Sequence, residues 1–335
     1  MAEEESAAVL VTGSAGFVGS HLLDYILSQP GTFRLHGLTR GNSPNLAHLE
    51  HAPRLSLHQL DLSDQASLTA LLIDLKPARI FHLAAQSFVG PAITNPAATL
   101  NNNLNTTLNL FEAVRAADLV EHCQILNVGS GDVYGFIEPT ELPIQENCPF
   151  RPGNPYAVSK INQEMLGYQY FRSYGLQIVA TRAFNHLGSR QSDQLATSAF
   201  ARQIALAEAG QISPIIKVGN LEARRDYTDV RDIVRGYWLA LTSAAAKPGE
   251  TYNLCSGNSH RMSEVLQMLV AMTDCSLSVA FDPARARPSD IPIVCGDYSK
   301  FYAATGWQPL IPLSQSLRDV LDYWRSQIKE TVPQS

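Results

Sequence analysis

Cysteine is scarce in this 335-residue chain, and what there is does not pair. The five residues (Cys123, Cys148, Cys255, Cys275, Cys295) form no C-x-x-C. An odd, scattered set fits reduced thiols rather than a disulfide framework or a zinc site. The nine histidines show no H-x-x-x-H or H-x-H spacing, so no metal is expected. No apolar run approaches the roughly 18 residues that span a bilayer. The N-terminal Met-Ala-Glu-Glu-Glu-Ser lacks the basic and apolar regions of a secretory signal. Basic runs are missing too, and the net charge of −6 disfavours nucleic acid as a non-specific partner. There are no internal repeats and no low-complexity tract. These absences predict a cytoplasmic protein with neither membrane nor nucleic-acid partners, long enough for a sizeable core and two lobes.

What the chain does have begins at Val9. The apolar run Val9–Val11 stops at Thr12, glycines follow at Gly13, Gly16 and Gly19, and a helical apolar pattern (Phe17, Val18, Leu22, Leu23, Ile26) takes over. This reads as strand, tight turn, helix. Gly13 suits a turn of unusual φ, Gly16 a backbone that approaches a pyrophosphate, and Gly19 close helix–strand packing. The helix N-terminus offers free N–H groups and a positive dipole end to an anion. The spacing is G-x-x-G-x-x-G rather than G-x-G-x-x-G, and its place after the first strand points to a dinucleotide.

Strands are predicted at Arg34–Leu38, Ser56–Gln59, Arg79–Leu83, Gln124–Val128 and Gln177–Arg182. Helices are predicted at Ala66–Leu75, Thr99–Ala117 and Pro155–Tyr174. The alternation implies an α/β fold, a doubly wound parallel sheet of Rossmann type, with ligands bound beyond the carboxyl ends of the strands. After Arg182 it breaks down into helices (Leu195–Ala209, Met262–Thr273, Ser314–Ile328) among Pro- and Gly-rich connections. A helix at Asp229–Thr242 and a strand at Thr251–Leu254 are expected to return to the sheet. The division is a dinucleotide-binding domain over 1–183 with 229–256, and a smaller, irregular α/β substrate lobe over 184–228 and 257–330.

Pro155-Tyr-Ala-Val-Ser-Lys160 carries the sharpest chemical signal. Tyr156 and Lys160 share one helix face. A phenol with a pKa near 10 is a poor acid or base at neutral pH, and an ammonium one turn away favours the phenolate. Ser130, in Val-Gly-Ser-Gly-Asp-Val-Tyr-Gly after the Gln124 strand, would hydrogen-bond a substrate carbonyl at the same sheet edge. Taken alone, Tyr156 and Lys160 could be a surface pair; with Ser130 and the glycine turn they read as catalytic. His82 and His186 end strands near the site and could meet cofactor or substrate, with core packing the competing reading for His82. Tyr237, Trp238 and Leu241 read as core.

The series T-G-x-x-G-F-x-G-S-H, Asp61-Leu62, His82-Leu-Ala-Ala85, S-x-D-x-Y-G at 130–135 and Y-x-x-x-K resembles the extended short-chain dehydrogenase/reductases over almost the whole chain. The resemblance implies Ser130, Tyr156 and Lys160 as catalytic residues. It puts Asp61 and Leu62 at the adenine, Ala84 and Ala85 at the cofactor ribose, and Phe17, Val18, Leu83, Val128 and His186 along the cofactor. Asn103 would brace the sheet edge within the cofactor site. A cap before Ser63 is the alternative for Asp61.

Ala183-Phe-Asn-His, Lys217-Val-Gly-Asn-Leu-Glu-Ala-Arg-Arg-Asp and Arg287-Pro-Ser-Asp are similar to enzymes of GDP-mannose metabolism, the 4,6-dehydratases and the GDP-4-dehydro-6-deoxy-D-mannose reductases. Arg225 and Arg287 have the planar donors a diphosphate needs, Arg224 being the more superficial of its pair. Asn185 suits sugar hydroxyls or phosphate. By resemblance, Ser87, Lys217, Asn220 and Asp290 line the sugar-nucleotide cleft, Asp290 at the guanosine. The dehydratases carry a Glu base two residues after the catalytic hydroxyl; here Asp132 stands there, shorter, behind Gly131. They also carry a long Arg- and Ser-rich segment after the second strand, where this chain has only Thr39–Ser43. These departures favour reduction of a GDP-linked keto-deoxy sugar to GDP-D-rhamnose. Dehydration, with Asp132 as base, is the alternative, and a non-catalytic nucleotide sensor a remote one. Arg40, where an acidic residue would bind a ribose 2′-OH, favours NADP(H) and leaves NAD(H) open. Relatives pair through the helices matching Thr99–Ala117 and Pro155–Tyr174, so a homodimer is expected.

Overall fold

A computed structural model describes residues 7–31, 33–285 and 291–331. The first half alternates strand and helix: β1 (Ala8–Thr12), α1 (Phe17–Ser28), β2 (Arg34–Thr39), β3 (Leu55–Gln59), α2 (Gln65–Leu75), β4 (Pro77–His82), α3 (Val89–Thr94), α4 (Pro96–Ala116), β5 (Gln124–Ser130), α5 (Pro155–Tyr174) and β6 (Gln177–Ala183). Then come β7 (Asn185–Leu187), α6 (Ala196–Glu208), β8 (Ile215–Val218), β9 (Arg224–Asp229), α7 (Val230–Thr242), β10 (Thr251–Leu254), β11 (Ser259–Arg261), α8 (Met262–Val270), β12 (Ser278–Phe281), α9 (Ser299–Thr305) and α10 (Leu313–Thr331).

Seven strands form one parallel sheet in the order β10-β6-β5-β4-β1-β2-β3. The direction of winding reverses between β1 and β4, and the crevice such a reversal opens lies beyond the carboxyl ends of these two strands. Every residue of β1 is buried. Its pleat sends Val9 and Val11 into a cluster with Leu22, Leu23 and Ile26 of α1 and Ile233, Val234 and Tyr237 of α7. Leu10 joins Ile80, Ile125, Ile178 and the α2–α4 residues Leu72, Leu110 and Phe111 on the opposite face. Helices thus cover both faces, as continuous apolar strands require. Thr251–Leu254 returns to the sheet as its edge strand beside β6.

Beyond the sheet, β11, β9 and β7 form a three-stranded sheet and β12 pairs with β8. A separate apolar cluster, including Phe200, Ile204, Val265, Leu269, Leu317 and Leu321, joins α6, α8 and α10. Three-residue strands such as β7 and β11 are too short to show a period of two, so the sequence pattern does not display them. Elsewhere capping moves the boundaries. Asn95 caps Ala98 N and Pro96 opens α4, three residues before the expected start. Lys76, at φ 45°, ends α2, so β4 starts at Pro77 rather than Arg79. Asp229 is the cap of α7, its carboxylate accepting from Arg231 N at 2.8 Å. Among the described residues no helix is long and apolar enough to cross a membrane.

Candidate active site

The carboxyl ends of β1, β2, β4, β5 and β6 open into a cavity of about 1160 Å3. That exceeds the few hundred to about 1,000 Å3 of a typical single-ligand pocket, leaving room for two ligands side by side. Its wall at one end is the glycine turn. Gly13 adopts φ +69°, and a Cβ there would meet Ala84 N at 2.9 Å. A Cβ on Gly19 would lie 2.2 Å from Gly13 O. Gly19 is therefore required by the turn's own backbone rather than by strand packing, which corrects the sequence expectation. Helix α1 starts with Gly16 as N-cap and no side-chain cap, so its first N–H groups are left for an anion.

Around the turn, the cavity wall brings together Gly13, Gly16, Phe17, Val18, Gly19, Arg40, Asp61, Leu62, Leu83, Ala84 and Ala85. Asp61 accepts from Ser63 N at 2.8 Å, so the turn-cap role and the place on the wall coexist. The Phe17 ring stacks on His186, 5.9 Å between centroids, and meets His21 edge-on at 5.5 Å. His186 Nδ1 donates to Phe184 O at 2.9 Å, which leaves Nε2 an acceptor, and burial lowers the imidazole's pKa. Arg190, unforeseen from sequence, donates to Asp24 and to His21 Nδ1, tying the segment after β7 to α1.

At the centre of the cavity stand Val128, Ser130, Asp132, Tyr156 and Lys160. Asn154 caps Ala157 N at 2.9 Å and Pro155 opens α5, which aims Tyr156 and Lys160 from its first turns. Lys160 is 4 % exposed and donates to Val128 O at 2.9 Å; burial brings its ammonium down to about 8. The Tyr156 phenol is pushed up by burial and by the Asp132 carboxylate, against the opposing hydrogen bond to Ser130. The expected lowering by Lys160 is thus reversed. Desolvation penalises the phenolate more than the ammonium, 6.0 Å from the ring centre, favours it.

Below this triad lies a buried ion pair. Arg182 reaches Glu164, one turn beyond Lys160, with two bonds of 2.6 and 2.9 Å, both side chains at most 6 % exposed. It also donates to Tyr134 OH at 2.7 Å, and that hydroxyl donates to Asn253 Oδ1. The loop carrying Ser130 and Asp132 is thereby fastened to the helix carrying Tyr156 and Lys160.

At the far end Ser87, Asn185, Asn220 and Arg225 line the cavity, and Gln191, Tyr227, Tyr237 and Arg285 also belong to its wall. Arg225 is held by Arg224 O and Ile291 O, at 2.9 and 2.7 Å. Arg224 ties β9 to β11 through Ser259. Tyr237 belongs to the core and to the wall at once, which its place in an apolar helical stripe does not reveal. One expectation is corrected: Lys217 is off the wall, because β8 turns Ile216 and Val218 inward and leaves Ile215 and Lys217 outward. Asn103 braces as expected, fully buried with its amide occupied by Gln86 N and O and Ser159, but it supports the cofactor site from behind and does not line the cavity. Arg287 and Asp290 lie outside the described residues.

The chain is similar to GDP-6-deoxy-D-mannose reductase of Pseudomonas aeruginosa, 35% identical over 96% of this chain and 98% of that protein. It is similar to GDP-mannose 4,6-dehydratase of Vibrio cholerae at 27%, over 93% and 92%. Among solved structures, RMD from Pseudomonas aeruginosa complexed with NADPH has a TM-score of 0.83 at 34% identity, covering 96% of this chain and 100% of that one. A dTDP-glucose 4,6-dehydratase (DesIV) from Streptomyces venezuelae, with NAD and TYD bound, has a TM-score of 0.86 at 25% identity, covering 97% and 99%. The GDP-mannose 4,6 dehydratase family matches residues 10–320. With the glycine turn, the Ser130–Tyr156–Lys160 grouping and this match in agreement, the chain belongs to the GDP-mannose 4,6-dehydratase family, on the extended short-chain dehydrogenase/reductase fold.

Proposed function

We propose that this protein is a GDP-4-dehydro-6-deoxy-D-mannose reductase, forming GDP-6-deoxy-D-mannose (GDP-D-rhamnose). One observation carries the choice over dehydration: the chain is 35% identical to a reductase over 96% of its length, against 27% to the dehydratase. The shorter Asp132, where a Glu base would stand, supports the same reading. Tyr156, a phenol that burial keeps protonated, is suited to the proton donation a reductase needs.

The uncapped α1 N-terminus, the Gly13 turn, Arg40, Asp61, Leu62 and His186 would hold NADPH, which supplies the hydride. Ser130 donates a hydrogen bond to the C4 oxygen of the sugar and polarises it. Tyr156 delivers its phenolic proton to that oxygen as negative charge develops there. Lys160 compensates the phenolate left behind. Arg225 and Asn185 grip the diphosphate and sugar, with Ser87 and Asn220 beside them; in this reading 1–183 with 229–256 serve the dinucleotide, and 184–228 with 257–330 the sugar nucleotide. Arg40, beside the end of β2, favours a 2′-phosphate and hence NADP(H), with NAD(H) the lesser cofactor. The protein works as a cytoplasmic homodimer.

The paired assay tests this. Purified protein should oxidise NADPH with GDP-4-dehydro-6-deoxy-D-mannose and leave GDP-mannose untouched. Conversion of GDP-mannose without NADPH oxidation on the keto-sugar would make it a dehydratase.

A further inference from the structure

His82 closes β4, 2 % exposed, and stands off the cavity wall. Its Nδ1 lies 2.9 Å from Thr12 Oγ1 and its Nε2 3.0 Å from Thr107 Oγ1. The surrounding groups decide which nitrogen holds the proton. Thr107 Oγ1 gives its hydrogen to Asn103 O at 2.9 Å and accepts from Gln163 Nε2 at 2.5 Å. Toward His82 it can only accept, so Nε2 carries the hydrogen and Nδ1 is bare. Thr12 Oγ1 then donates to Nδ1 while accepting from Ala84 N at 3.2 Å. The bonds run in one direction, from the Ala84 peptide N–H to the Asn103 carbonyl. A second proton on the ring would leave the Thr12 hydroxyl hydrogen without an acceptor. Burial, and secondarily the Lys160 ammonium, oppose that proton and lower the imidazole to about 3.

Each end of this chain reaches a different part of the site. Thr12 precedes Gly13, and its partner Ala84 is on the cavity wall. Gln163 is three residues after Lys160 on α5, and its carbonyl accepts from Asn127 Nδ2 at 2.8 Å. We infer that His82 is a positioning residue: a neutral imidazole of fixed tautomer that ties the glycine turn, through Thr12, to the helix bearing Tyr156 and Lys160, through Thr107 and Gln163. The inference rests on the proposal that the cavity takes NADPH.

The two ends can be cut separately. Asparagine places a polar atom near Nδ1 and keeps the Thr12 bond alone; glutamine reaches the Nε2 position and keeps the Thr107 bond alone. NADPH affinity is read by fluorescence titration, kcat at saturating NADPH, and Tm for each variant. His82→Asn should hold the NADPH Kd within about twofold and lower kcat about tenfold, the effect of one buried hydrogen bond. His82→Gln should raise Kd about tenfold and change kcat less than about threefold. Thr107→Val, which cuts the chain on the helix side by removing the hydroxyl shared by His82, Gln163 and Asn103 O, should repeat the His82→Asn pattern and serves where a His82 variant does not fold. If His82→Asn and His82→Gln change Kd and kcat in parallel, or lower Tm alone, the inference is overturned. The same holds if Thr107→Val leaves both constants unchanged. Wild-type protein that binds no NADPH overturns the proposed function, and this inference with it; wild type that binds, with variants that do not separate, overturns this inference alone.

Discussion

The ammonium of Lys160 is almost wholly buried, with the Val128 carbonyl as its hydrogen-bond acceptor at 2.9 Å. Holding it charged costs the fold. The drop from 10.5 to about 8 corresponds to about 3 kcal/mol at neutral pH, an upper bound for one buried group. The sign is set by proton uptake: between these two values the unfolded chain binds more protons than the native one, so stability rises with pH across that window. Lys160→Met should therefore raise Tm at pH 7 by about 2 °C or more while lowering kcat ~10²-fold or more, read by thermal melting and NADPH oxidation. A fall in Tm would show that the Val128 bond outweighs the desolvation. At Tyr156 the same burial works in the opposite direction and keeps the phenol protonated. Tyr156→Phe should lower kcat ~10²- to 10⁴-fold with NADPH binding little changed, and full activity in that variant would remove Tyr156 from the reaction. Spacing in the sequence places these residues on one face. It contains no information about dielectric, and so the direction of the tyrosine shift came out reversed.

In the glycine turn, local and tertiary requirements coincide. Gly13 needs φ +69°, and Gly19 leaves no space for a methyl group 2.2 Å from Gly13 O. Gly16 is less confined, its added Cβ 3.2 Å from the same oxygen. Gly19→Ala should abolish NADPH binding and lower Tm, whereas Gly16→Ala should retain the fold with weaker binding; titration and melting on the two variants read the difference. Equal behaviour would mean that the turn yields as a unit. Elements of this length announce themselves through periodicity and caps, as with Asn154-Pro155 at α5, and through breakers such as Gly13 after β1 and Pro77 after α2. Strands β7, β8, β9, β11 and β12 do not, because their order depends on partners far along the chain, such as Ser259 opposite Asp226.

Across the whole molecule, α4 and α5 pack together and leave an apolar stripe toward solvent. Leu100, Leu104 and Leu108 are half-buried on α4, while Met165 and Tyr168 on α5 are 43 and 53 % exposed. A second copy covering this stripe would form a four-helix interface, in keeping with the proposed homodimer. Met165→Glu should then yield monomers by light scattering, with the far-ultraviolet spectrum unchanged; an unaltered mass in both proteins would refute the helical interface. The Arg182–Glu164 pair belongs to this scale too. It joins β6, α5, the Ser130–Tyr134 loop and β10, and loss of either partner leaves a buried charge uncompensated.

The sequence by itself determined the alternating sheet and helix order, the glycine turn for a dinucleotide and the grouping of Ser130, Tyr156 and Lys160. These depend on residues near one another in the chain and on strand ends that a parallel sheet must align. Only the tertiary structure decided that Asn103 stands off the cavity wall, that Lys217 faces outward, that Tyr237 reaches the cavity and that His82 is a neutral link. Each of these depends on burial and on partners tens of residues away, such as Thr12 and His82, which come together only when β1 and β4 pair.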